Sequence, residues 1–212
     1  MKFRLPPDLT DGMQAERARV AGHLRGRRGL ALDVDGVAAD VDRFEVDLNF
    51  EMPRWSRSGQ FQDWLERATE FESMLPVIHP VEGAVEAVAQ LARQTPLAAY
   101  VTARWESNIP ALRSWMGRNG FPDLPIIARP EAETANHSRW KASLLNAAYP
   151  MITGIVDDNT ELPSQLGPGY RGKAYIFGGL RNPNPPSFAV SCPTWADVTN
   201  SVRAQVSQAA LE

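Results

Sequence analysis

The sequence predicts an α/β fold in which a parallel sheet is covered by helices on both faces. Three observations predict it. Short apolar runs, such as Leu97–Val101 and Ile152–Val156, have the length of strands buried on both sides. Stretches with apolar residues at helical spacing separate these runs. Polar residues follow three of the runs directly, as in open parallel sheets that bind ligands at the carboxyl ends of their strands.

Along the chain, residues 8–28 read as a polar, arginine-rich helical lead-in. Its cluster Arg25, Arg27 and Arg28 suits a solvated helix end. Gly29 to Leu32 is the first strand, ending at Asp33. Residues 38–76 break the alternation: they hold Phe44, Phe50, Trp55, Phe61, Trp64 and Phe71 without a clear strand pair. They read as a small, mostly helical insertion with a miniature aromatic core. Val85, Val88 and Leu91 then form a helical stripe, followed by the strand at Leu97–Val101. Ile109, Leu112 and Trp115 mark the next helix, with Pro110 in its first turn. Ile126 to Ala128 is a strand, and Ser138 caps a helix running to Ala148. The strand Ile152–Val156 follows, then a last pair at Ala174–Phe177 and Phe188–Ser191 and a helix from Trp195 to Ala210.

Composition bounds the function. With 212 residues, the chain suits one α/β domain plus a small insertion. The formal charge is −3 and no basic stripe is present, which argues against a nucleic-acid partner. The single cysteine, Cys192, rules out a disulfide framework and a cysteine metal cluster. It reads as a buried thiol at a strand end. No run approaches the roughly 20 apolar residues that span a bilayer, and a cytoplasmic location is expected. Oligomeric state is not legible.

The chemistry concentrates at strand ends. Asp33-Val34-Asp35-Gly36 follows the first strand, and carboxylates at i and i+2 on extended backbone point to one side. Taken alone, such a string is equally a turn or a loose cation site. Its company raises it. Asp157-Asp158-Asn159 closes the strand at Ile152–Val156, and Thr102-Ala103-Arg104 follows Val101. Carboxylates crowded at one edge would repel, and a hard divalent cation relieves that; oxygen donors favour magnesium. Lys141, in the preceding helix, adds a positive charge.

Other signals are set aside. Gly167 to Gly172 matches G-x-G-x-x-G but precedes a strand and contains Pro168. No phosphate-binding P-loop or nucleophile elbow occurs. Asp40-Val41-Asp42 has no strand end behind it, and Asn182 to Pro186 is a connector. His23, His79 and His137 lack ligand spacing and read as structural. Trp105 reads as a core or rim residue.

Asp33-Val34-Asp35-Gly36, Thr102, Lys141 and Asp157-Asp158 resemble the four motifs of the haloacid dehalogenase superfamily, in the family's order. The resemblance implies a Rossmann-like core from residues 1–37 and 77–212, with 38–76 as a small helical cap. It further implies a magnesium-dependent phosphatase. Asp33 would attack phosphorus and form an aspartyl-phosphate; Asp35 would protonate the leaving oxygen and then activate water. Thr102, Lys141 and the backbone at Val34 and Ala103 would hold the phosphoryl group. Mg2+ would be held by the Asp33 carboxylate, the Asp35 carbonyl and Asp158, with Asp157 and Asn159 behind them, Asp157 orienting Lys141. The string from Asp33 to Asp40 and the modest insertion look closest to the 5'(3')-deoxyribonucleotidase-like branch, although Ala38 stands where a larger apolar residue is usual. The expected substrate is a small phosphorylated metabolite, with nucleotides among the candidates. Alternatives are a sugar phosphate, a polynucleotide phosphate end, or a non-catalytic protein that binds a phosphorylated ligand. The presence of both Asp33 and Asp35 argues against the last, because binding alone needs no proton donor.

Overall fold

The apolar runs become strands. The computed structural model describes residues 11–41, 78–133 and 135–209. Most of the expected cap, from residue 42 to 76, lies outside the described residues, as does the start of the lead-in. The strands are β1 (Gly29–Leu32), β2 (Leu97–Trp105), β3 (Ile126–Arg129), β4 (Ile152–Asp157), β5 (Lys173–Phe177) and β6 (Ala189–Cys192). They form one sheet in the order β3-β2-β1-β4-β5-β6, and every neighbouring pair is parallel. Parallel strands are buried on both faces, which is why they read as unbroken apolar runs. All four residues of β1 and of β3 are buried.

The helices are α1 (Asp11–Leu24), α2 (Ala84–Gln94), α3 (Ile109–Arg118), α4 (His137–Ala148), α5 (Leu162–Leu166) and α6 (Trp195–Ala209). They divide between the two faces. On one, Val88 and Leu91 of α2, Leu112 and Trp115 of α3, and Val198 and Val202 of α6 pack against Leu30, Leu32 and Tyr100. On the other, Val20 and Leu24 of α1, Leu144 and Leu145 of α4, and Leu162 of α5 pack against Ala31, Val101 and Ile155. Each fully buried side chain of this size contributes about 1.5–3 kcal/mol relative to exposure. Inside the core, Trp115 Nε1 donates to the Ile78 carbonyl at 2.9 Å. Glu16 of α1 accepts the Ile126 amide at 3.0 Å and the Arg113 guanidinium, and so ties α1 to the start of β3.

Two local expectations are corrected. The α4 cap is Asn136, whose Oδ1 accepts the Arg139 amide at 2.9 Å. Ser138 lies inside the helix, where its hydroxyl accepts from Asn159 Nδ2 at 2.7 Å. The second strand also runs past Val101 to Trp105, so Thr102-Ala103-Arg104 lie within its last residues. The pairing of β2 with β3 slips between Thr102 and Trp105, which frees this end from strict ladder geometry. Gly167 to Gly172 joins α5 to β5, the wrong direction for a dinucleotide turn. Cys192 is buried at the end of β6, as expected.

Candidate active site

The sheet order reverses between β1 and β4, and this switch point opens a crevice at the carboxyl edge. Asp33 follows β1 directly, and Asp157 is the last residue of β4. The topology therefore delivers both carboxylates to one place. Lys141 reaches them from α4. Its Nζ lies 2.7 Å from Asp33 Oδ2 and 2.7 Å from Asp157 Oδ2. All three side chains are buried. Asp33 Oδ1 accepts the Val34 amide at 2.7 Å, and Asp157 Oδ1 accepts the Asn159 amide at 2.9 Å.

Burial and crowding set the charge states. Burial pushes the Asp33 carboxyl well above its ordinary range; Asp157, Asp158 and Asp35 push the same way, against Lys141. Burial also lifts Asp158 to about 7, helped by Asp157 and Asp35 and opposed by Lys141. For Lys141 burial disfavours the ammonium, but Asp157 and Asp33 outweigh it and push the group upward, so it stays charged.

Gly36 makes room for Asp158. Its φ is +69°, and a Cβ there would stand 2.0 Å from Asp158 Oδ2. A side chain would be strained by the left-handed backbone and would displace the Asp158 carboxylate. The turn is held by the amides of Ala38 and Ala39, which donate to the Val34 carbonyl, and by Gly36, which donates to Ala39.

Asp35 lies beside this cluster but has its own cation. Asp35 Oδ1 accepts from Arg104 Nε at 3.0 Å and Nη2 at 2.6 Å. Asp35 Oδ2 is 3.5 Å from Thr102 Oγ1, which in turn accepts the Arg104 amide at 3.1 Å. Asp35 also lines a cleft of about 150 Å³ with Ala103, Arg104, Trp105, Asn108, Arg129 and His137. The Arg129 guanidinium carbon sits 3.7 Å from the centre of the Trp105 ring.

The residues fit a divalent metal. Asp33, Asp157 and Asp158 each offer a carboxylate oxygen, all within 4.8 Å of one another. Three carboxylates against one ammonium leave a formal charge of −2, the charge one such cation neutralises. The donors are oxygen only, which suits a hard ion. Both oxygens of Asp157 are already taken, by Lys141 and Asn159.

No family model matches the chain, and no curated protein matches it. Solved structures do. One is the L-2-haloacid dehalogenase of Xanthobacter autotrophicus with chloropropionic acid covalently bound; the TM-score is 0.53 at 12% identity, over 83% of this chain and 98% of that one. A second structure of L-2-haloacid dehalogenase from the same organism matches at a TM-score of 0.50 and 13% identity, over 84% of this chain and 98% of that one. The chain has the haloacid dehalogenase fold. On this fold Asp33, Asp35, Thr102, Lys141, Asp157 and Asp158 all stand at one sheet edge, with Asn159 just behind them. Val34 and Ala103 lie alongside, although the Val34 amide is bonded to Asp33 Oδ1. No helix among the described residues is long and apolar enough to cross a membrane.

Three residues at this edge have no role in the sequence reading, although Arg104 is named there at its strand end. Arg104 is two residues after Thr102, and that spacing on a strand puts both on one side; the signal was present. Arg129 ends β3, next to β2 in the sheet, and only the strand order reveals it. His137, read as structural, also lines the cleft. Its place at the start of α4 brings it there.

Proposed function

We propose that the protein is a magnesium-dependent phosphatase acting on a small phosphorylated metabolite through an aspartyl-phosphate. One observation carries the reading: Asp33 and Asp157 share the Lys141 ammonium at the switch point, with Asp158 beside them. An Asp33 oxygen attacks phosphorus and the bond to the leaving oxygen breaks. Asp35 gives that oxygen a proton and then takes one from the water that attacks the phosphoryl group. The bond from phosphorus to Asp33 breaks, and phosphate leaves. Lys141 and Thr102 bind phosphoryl oxygens, while Asp157 and Asn159 hold Lys141 and the loop in place. Bound by Asp33, the Asp35 carbonyl and Asp158, Mg2+ would offset the negative charge between carboxylate and phosphate. The cleft beside Asp35 would take the leaving group, and the segment 38–76 would act as the cap that sets specificity.

A second reading follows from the fold's dehalogenase relatives: displacement of halide from a 2-haloacid by Asp33. Proton chemistry weighs against it. Halide departs without a proton, so Asp35 would have no task. The test is release of inorganic phosphate from an aryl phosphate, with and without Mg2+, beside halide release from a 2-haloacid. Phosphate release is expected, lost in chelator and in Asp33→Asn. Activity that survives Asp33→Asn would remove Asp33 as the nucleophile; halide release alone would overturn the proposal. A panel of nucleotides and sugar phosphates would then rank substrates.

A further inference from the structure

Resting on the phosphatase reading, we propose that Arg104 is a positioning residue for the proton transfers of Asp35. The geometry is asymmetric. Two Arg104 donors, Nε and Nη2, go to a single oxygen of Asp35, Oδ1. The second oxygen, Oδ2, is left facing the Thr102 hydroxyl at 3.5 Å. The Asp35 side chain keeps about a third of its surface open to solvent, at 32%. A short carboxylate with that freedom would turn about its two side-chain bonds. The guanidinium fork, rigid and itself only 11% exposed, stops that turn. The Arg104 main chain is held in turn, because its amide donates to Thr102 Oγ1. One threonine thus serves as the meeting point of Arg104, Asp35 and the phosphoryl site.

The consequence is an assignment of oxygens. Oδ1 stays bonded to Arg104 throughout. Oδ2 carries the proton that passes to the leaving oxygen as its bond to phosphorus breaks. Oδ2 then receives the proton of the attacking water. A general acid that stands out of line loses much of its effect, since a displacement of about 1 Å can cost about 10²-fold.

The test uses leaving groups. Proton donation is needed for an alkyl phosphate, whose alkoxide leaves poorly, and hardly at all for a nitrophenyl phosphate. The comparison is made in kcat/KM, which reports the step in which the leaving group departs. Arg104→Gln should lower kcat/KM on the alkyl phosphate by about 10²-fold, the size of a general-acid contribution. On the nitrophenyl phosphate the loss should stay within about threefold. Arg104→Lys, with one donor kept, should fall between wild type and Arg104→Gln, and shows the same contrast should the glutamine variant fold poorly. In an Asp35→Asn background, adding Arg104→Gln should cost no more than about threefold, because the two residues act as a unit. Equal losses on both substrates, or losses that multiply in the double variant, would make Arg104 a merely structural residue and overturn the proposal. A wild type that releases phosphate from neither substrate would instead overturn the phosphatase reading itself.

Discussion

Replacing Lys141 with methionine keeps the length of the side chain and removes its charge from between two buried carboxylates. Asp33 is 4% exposed and Asp157 0%. Each lies 2.7 Å from the ammonium that would be lost. Breaking a buried ion pair costs about 3–5 kcal/mol, because the partner charge is left uncompensated. Two carboxylates lose their partner here, but both need not stay ionised. Asp33, already raised by burial and by Asp157, can take a proton. The sign of the pH effect follows. A carboxyl raised in the folded state binds a proton there that the unfolded chain releases above about pH 4. Stability therefore falls as pH rises, and the variant should suffer most in alkali. At pH ~8 the loss should be about 3–5 kcal/mol. For a chain of this size each kcal/mol moves Tm by about 2–4 °C, so a drop of about 6–20 °C is expected. At pH ~5 the drop should be less than half as large, since the compensating proton is close at hand. Thermal unfolding followed by circular dichroism in chelator measures both. Adding Asp157→Asn to Lys141→Met should recover part of the loss by removing the second charge. A drop below about 3 °C at pH ~8, or the same drop at both pH values, would refute the reasoning.

Two further outcomes test the metal side of the cluster. Gly36→Ala places a Cβ where Asp158 Oδ2 now stands, on backbone with a φ of +69°. The Mg2+ concentration for half-maximal activity should rise at least about tenfold, and an unchanged titration would separate Asp158 from the metal. The wild-type protein in chelator should lose stability as pH rises from about 5 to above 7, because Asp158 is lifted to about 7 chiefly by burial and then by Asp157. Urea unfolding midpoints should show that fall, and saturating Mg2+ should flatten it. A flat profile in chelator would contradict the account.

Much of this edge was legible because a parallel sheet writes its plan plainly. Strands covered on both faces must be apolar throughout, so the first polar residue after each run marks the carboxyl edge. That rule alone locates Asp33 after Leu32 and Asp157 after Val156. Local ambiguity defeated the α4 cap. Asn136 and Ser138 are both good capping residues two positions apart, and the choice depends on what else competes for each oxygen. Ser138 is engaged by Asn159, 21 residues away, so the cap falls to Asn136. The Arg104 to Asp35 contact spans 69 residues and joins adjacent strand ends. No local pattern encodes such a pair; it needs the strand order, which long-range pairing decides.

Charge balance supports the proposed dication. Asp35 is engaged by Arg104 beside this cluster. What remains around the nucleophile is Asp33, Asp157 and Asp158 against Lys141, a formal −2. A phosphate monoester brings about −1.5 to −2 of its own. The cluster alone would repel such a ligand, and the upward shifts of Asp33 and Asp158, set first by burial, include the same repulsion within the protein. A second lysine could cancel only half of that charge. A single Mg2+ cancels all of it and can touch carboxylate and phosphate together. The raised carboxyls are what the proposed metal site would show without its ion, so the Mg2+ dependence of stability and of phosphate release should rise together with pH.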